Sequence, residues 1–304
     1  MLAESILRSL SGLQFVPPHR RPGTTTGERR SPRRGRSVEF ADYRDYTPGD
    51  DPRRVDWNIY ARLERPYIKL YEDEEDLTVH VLLDASPSMQ WRAVEEDRSI
   101  KWERAADLAA ALCYIALSSG DRLVLETSSH ARYGPKRGVA ATSGAIEFIE
   151  REVLPSEVSD GSVPSQAYLS GSNLNGWWKR YAVDARPGLC IIISDLFDAQ
   201  GYTEGFNALG SSRLDVNVLH TLCPEELDPE FTGDLRLRDI ETSSLQDVSL
   251  DDSALNQYRQ RLNLWINEIA ESCRRRGGKY HLTNTSDSVE KIVLRDLRRD
   301  GWVQ

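Results

Sequence analysis

The chain has 304 residues, 39% hydrophobic and 29% charged, with a formal net charge of −9. Its length allows one large domain with an appended part, or two domains, and its composition is that of an ordinary globular protein. The acidic total argues against general nucleic-acid binding, and no apolar run approaches the ~20 residues that span a bilayer.

Leu2, Ile6, Leu10 and Leu13 recur at three- and four-residue spacing, which predicts a short amphipathic helix packed on the protein's own body. Glu4 and Arg8 interrupt its apolar pattern and no basic leader precedes it, so it makes a poor signal peptide. Residues 16 to 38 read as a basic loop: Pro17, Pro18 and Gly23 accompany Arg20, Arg21, Arg29, Arg30, Arg33, Arg34 and Arg36. Arg29, Arg30, Arg33 and Arg34 could meet an anionic partner, or the loop could simply offset nearby acids. Aromatic residues for base stacking are missing from the arginine run.

Pro48-Gly49 marks a tight turn that Asp50, Asp51 and Pro52 continue. Trp57, Ile59, Tyr60, Tyr67, Ile68, Leu70 and Tyr71 form strand-like patches around the break at Glu64-Arg65-Pro66. Five consecutive acids, Glu72 to Asp76, close the section. Residues 1–76 therefore read as helix, basic loop and β-rich extension, and residues 77–304 as the main domain.

Val79-His-Val-Leu-Leu-Asp-Ala-Ser-Pro-Ser-Met89 opens that domain. A short apolar run ending in polar residues predicts a buried strand. Asp84, Ser86 and Ser88 follow its end, where open α/β sheets bind ligands. One carboxylate and two hydroxyls are hard oxygen donors suited to Mg²⁺. The same residues could instead cap a strand-ending turn.

Further along, a helix is predicted over 101–118, a strand over 122–127, an antiparallel edge strand over 131–136 and a helix over 145–152. A loop covers 153–171, and Trp177, Trp178 and Tyr181 lie in the next helix. Gly188 to Asp195 is a near-continuous apolar run, as at the centre of a parallel sheet, and it too ends in an aspartate. Then come a strand over 214–221, a hairpin of 234–240 with 245–250, a helix over 254–276, a strand over 279–283 and a helix over 289–299. Cys113, Cys190, Cys223 and Cys273 show no zinc-type spacing and read as reduced thiols of a cytoplasmic protein.

The spacing Asp-Xaa-Ser-Xaa-Ser at 84–88 resembles the metal-ion-dependent adhesion site of von Willebrand factor type A domains. The stretches RRGRSVEFADYRDYTPGDDPRRVDW and IKLYEDEE, followed by LLDASPSM, are similar to the bacterial family called domain of unknown function fifty-eight. The resemblance runs from about Gly35 to the C-terminus, with a weak gap at 153–170. It implies an α/β fold with a doubly wound, mostly parallel sheet in the type A-like order 3-2-1-4-5-6. Gly171-Ser-Asn-Leu174 is similar to the family's Gly-Thr-Asp-Leu, which makes Ser172 the next hydroxyl ligand, although it could equally cap the following helix. The resemblance assigns Asp195 the acid that completes the site through water; Asp198 is a nearby alternative that reads more readily as a solvated cap. The implied ion is Mg²⁺, Mn²⁺ or Ca²⁺.

Three function classes follow. The first is a non-catalytic protein-binding module whose metal recruits an Asp or Glu of a partner; the resemblance implies a MoxR-type AAA+ ATPase. The second is an adaptor that binds nucleic acid or an anionic surface through the arginine loop. The third is a metal-dependent hydrolase, which the sequence supports least. Position 86 is Ser rather than the second acid of an Asp-x-Asp phosphatase, and neither a Gly-x-Ser-x-Gly turn nor a phosphate loop is present. The five histidines show no spacing that suggests a catalytic set.

Overall fold

A computed structural model describes residues 4–16, 40–47, 50–52, 55–71, 77–90, 101–153, 173–198, 200–230, 233–238 and 244–304. The chain forms two compact units: Arg20–Asp76, and Met1–His19 together with Leu77–Gln304. The N-terminal helix α1 (Glu4–Leu10) thus belongs to the larger unit. Leu10, Leu13 and Phe15 are buried there. Gln14 and Gln304 exchange backbone hydrogen bonds of 3.1 and 2.9 Å, and Phe15 pairs with Val303, so the two ends of the chain are stitched together.

In the smaller unit, β1 (Phe40–Asp45) pairs antiparallel with β2 (Tyr67–Tyr71). The expected strand around Trp57 is a helix instead, α2 (Trp57–Leu63). The Asp56 carboxylate accepts the Asn58 and Ile59 amides at 2.9 and 3.3 Å, satisfying orphan donors of the first turn. Glu64, at φ 55°, closes the last turn with its amide on the Tyr60 carbonyl. No α2 side chain is buried, so the aromatic β-preference of Trp57 and Tyr60 had no packing to act through and the local cap decided the conformation.

The larger unit contains β3 (Thr78–Leu83), α3 (Lys101–Ser118), β4 (Arg122–Thr127), β5 (Arg132–Arg137), α4 (Thr142–Val153), α5 (Leu174–Asp184), β6 (Gly188–Ser194), α6 (Thr203–Ser211) and β7 (Leu214–Leu222). It continues with α7 (Pro224–Leu227), β8 (Gly233–Arg238), β9 (Leu245–Leu250), α8 (Asp252–Arg275), β10 (Tyr280–Asn284) and a π-helical stretch, Lys291–Leu297. Six strands form one sheet in the order β10-β7-β6-β3-β4-β5, and β8 pairs with β9 apart from it. Only β5 runs antiparallel, as expected for the edge strand. Counted within this sheet alone the order is 3-2-1-4-5-6. The chain is thus a mixed α/β protein built on a mostly parallel sheet with helices on both faces.

The strands divide their side chains between two cores with the period of two that pleating imposes. Val79, Val81, Leu83, Leu189, Ile191 and Ile193 join α3, α4 and the chain ends on one face. Leu82, Cys190, Ile192 and Val218 join Trp177, Trp178 and Tyr181 of α5, with α6 and α8, on the other. Ala105, Ala109, Leu112, Cys113 and Ala116 of α3 are fully buried, and the small alanines let that helix lie close to the sheet. Gly188 starts β6 where a Cβ would overlap the Thr78 carbonyl oxygen, so the strand pair tolerates no side chain there.

Candidate functional site

β3 and β6 lie side by side, with Leu83 opposite Ile193, and the Asp84 amide donates to the Ile193 carbonyl at 2.9 Å. The chain leaves β3 toward the face holding α3 and leaves β6 toward the face holding α6. The carboxyl ends of these two strands therefore flank the crevice that such a sheet opens at its switch point.

Four of the five metal-ligand candidates converge there. Asp84, Ser86, Ser88 and Asp195 are all buried, Asp195 completely. Asp84 accepts the Ser86 amide at 2.9 Å and the Ser194 hydroxyl at 2.6 Å. Ser86 Oγ lies 2.9 Å from Ser88 Oγ, and Ser88 Oγ donates to Asp195 Oδ1 at 3.3 Å. The Ala85 amide donates to Ser128 Oγ at 2.9 Å, which fixes the loop from the end of β4. The turn-capping alternative for Asp84 is thus also present, since its carboxylate orders its own loop. Burial, and next the charge of Asp195, push the Asp84 carboxyl up to about 6, against the hydrogen bonds from Ser194 and Ser86.

Ser172 lies outside the described residues, as do Arg29, Arg30, Arg33 and Arg34. The cap of α5 is Asn173, whose side chain accepts the Gly176 amide at 2.6 Å. Asp198 accepts the Leu174 amide at 2.7 Å and the Gln200 amide at 2.7 Å, so it anchors the start of α5 beside the loop after β6. That structural duty separates Asp198 from Asp195.

Sequence reasoning missed Lys101. This first residue of α3 is fully buried, with its ammonium 2.6 Å from Asp195 Oδ2 and 2.7 Å from Glu226 Oε1. The ammonium also stands 5.2 Å from the Phe197 ring centre. Burial lowers its pKa, but Asp195 and Glu226 more than offset this and hold it above the ordinary lysine value. Glu226 is raised by its own burial despite Lys101. Its other oxygen accepts the Cys223 amide at 2.8 Å, closing a capping box on α7. The sequence held one hint: a lysine at a helix start opposes the helix dipole, so it needs a partner. His220 supports the same loop. Its Nε2 donates to the Asp195 carbonyl at 3.0 Å, its Nδ1 faces the Tyr280 hydroxyl at 2.7 Å, and burial drives its pKa down to about 3, so it is neutral.

The donor set fits a small hard cation. All nearby donors are oxygens, and neighbouring ligands of an octahedral Mg²⁺ stand about 3 Å apart when each lies at about 2.1 Å from the ion. The Ser86–Ser88 and Ser88–Asp195 spacings of 2.9 and 3.3 Å match this. Asp84, Asp195 and Glu226 accompany the single ammonium of Lys101, leaving a formal excess of two negative charges when all are ionised. Among the described residues no three His, Cys, Asp or Glu side chains form a ligand set, so serine hydroxyls would have to complete any shell.

Fold and site together define an α/β protein with a buried carboxylate–hydroxyl cluster at the sheet's switch point. The chain belongs to the family described as "Protein of unknown function DUF58", which matches residues 42–264. It is 24% identical over 247 residues to the uncharacterized protein Rv1480 of Mycobacterium tuberculosis, covering 79% of this chain and 72% of the relative. The uncharacterized protein Mb1516 of Mycobacterium bovis matches to the same extent. Among solved structures, the conserved hypothetical protein BatB from Bacteroides thetaiotaomicron aligns with 16% identity and a TM-score of 0.41, over 74% of this chain and 98% of its own. An aerotolerance-related membrane protein from Bacteroides fragilis aligns with 18% identity and the same TM-score, over 73% and 99%. Among the described residues, no helix of this chain is long and apolar enough to cross a membrane.

Proposed function

We propose that this protein is a non-catalytic binding module of the von Willebrand type A-like kind, working in the cytoplasm. Its metal-ion-dependent adhesion site comprises Asp84, Ser86, Ser88, Ser172 and Asp195 and holds Mg²⁺, or Mn²⁺ or Ca²⁺ in its place. The observation that carries the reading is the convergence of two strand ends, which sets Ser86, Ser88 and Asp195 at the spacing of neighbouring ligands while Asp84 orders the loop. A divalent ion held by so few carboxylates keeps Lewis acidity for an Asp or Glu of a partner. The two serines offer neutral donors, Ser194 and the Ser86 amide orient Asp84, and His220 holds the Asp195 backbone. The partner that the sequence resemblance implies is a MoxR-type AAA+ ATPase, for which this chain acts as an adaptor or chaperone-like cofactor.

The test is capture of partners from the native cell by wild type and Asp84→Ala, each with Mg²⁺ and with chelator, followed by titration of the captured protein. The expected result is binding by wild type in Mg²⁺ alone. Equal affinity in Mg²⁺ and in chelator refutes the metal-bridged contact.

A further inference from the structure

A fully buried lysine at the start of a helix is costly twice over, through lost hydration and through the positive end of the helix dipole. Lys101 is held there by two acids that come from different parts of the fold. Asp195 follows β6 and Glu226 lies in α7, 94 and 125 residues further along the chain. The carboxylate of Asp195 is divided between two tasks. Oδ1 faces Ser88 and the Phe197 amide, on the side of the hydroxyl pair, and Oδ2 faces the ammonium. Glu226 is divided likewise, with one oxygen on Lys101 and the other on the Cys223 amide that begins α7.

From this arrangement, and resting on the metal-site reading above, we infer that Lys101 is a tethered counter-cation that competes with the divalent ion for the charge of Asp195 and keeps the site's affinity for metal low until a partner carboxylate arrives. Without an ion, the ammonium neutralises Asp195 and lets the two loops close. When an ion draws on Asp195 through Oδ1, the ammonium is repelled and is left to Glu226, which is the second acid's role. A partner carboxylate adds the negative charge that Lys101 had cancelled, so metal and partner bind together more tightly than either alone. Lys101 is a positioning residue in this scheme; it touches neither the ion nor the partner.

The two acids give the scheme a signature in opposite directions. Removing the ammonium by Lys101→Met frees Asp195 and should tighten Mn²⁺ binding about tenfold or more, as expected for losing a unit charge close to a divalent ion in a buried setting. Replacing the competing acid by Glu226→Gln keeps the shape but drives the ammonium onto Asp195, and should weaken Mn²⁺ binding several-fold. A lysine that serves packing alone would give no such pair of opposed shifts.

The experiment is titration of Mn²⁺ into the full-length wild type, Lys101→Met, Glu226→Gln and, as the site-disrupted control, Asp84→Ala, followed by calorimetry, with thermal unfolding in chelator and in Mn²⁺. The inference expects tighter binding by Lys101→Met, weaker binding by Glu226→Gln, and recovery by Mn²⁺ of the melting temperature that Lys101→Met loses in chelator. Wild-type binding with Lys101→Met equal or weaker overturns this inference and leaves the metal site standing. Absence of Mn²⁺ binding in both proteins overturns the metal site and the inference with it. If Lys101→Met does not fold, Glu226→Gln decides: weaker binding supports the inference, and equal or tighter binding overturns it.

Discussion

Replacing Asp84 by Asn should stabilise the metal-free protein at neutral pH, although Asp84 is buried and hydrogen-bonded. Its carboxyl is raised from an ordinary 3.8 to about 6 by burial and by Asp195. The folded state therefore holds its proton more tightly than the unfolded chain does. For an acid shifted in this direction, stability is highest below the unfolded value, near pH 4, and falls as pH rises toward 6. Above that the native state carries the full penalty, about 3 kcal/mol at most. Asparagine can still accept the Ser86 amide and can donate to Ser194, so little else is lost. Urea unfolding in chelator at pH 4.5, 6 and 7.5 should show Asp84→Asn near wild type at the lowest pH and about 1–3 kcal/mol more stable at the highest. Excess Mg²⁺ should narrow or reverse the gap, because an ion bound only by the folded wild type stabilises it. A variant less stable than wild type at pH 7.5, or a gap independent of pH, refutes the argument.

Trp178→Ala empties a fully buried indole site between α5, α6 and the sheet and should cost about 3–5 kcal/mol in chemical denaturation. Asp56→Ala removes the cap of α2 and should destabilise the smaller unit by about 0.5–2 kcal/mol, read as faster proteolysis within residues 20–76 with little change in the larger unit. Purified protein should show no nucleotide or phosphoester hydrolysis that Asp84→Ala abolishes; turnover lost with that substitution would move the site into catalysis.

Much of the fold is legible in the chain because burial in a parallel sheet demands unbroken apolar runs. Thr78–Leu83 and Gly188–Ser194 are such runs, and each delivers its aspartate by ending. α3 and α8 follow from apolar faces at helical spacing, with ends within a few residues of those expected. The local signal failed at Trp57–Leu63, where aromatic content reads as strand and a single capping carboxylate outweighs it.

What the sequence by itself determined is the strands of the central sheet, the long helices α3 and α8, and the placing of Asp84 and Asp195 at strand ends, since these follow from the spacing of residues a few positions apart. Tertiary structure alone decided which charges share the site. Nothing near Lys101 in the chain names Asp195 or Glu226 as its partners, because an ion pair depends on distance in space, and the crossovers of the sheet close those distances. The pairing of the Lys101 ammonium with two carboxylates, Asp195 and Glu226, is for that reason a property of the topology.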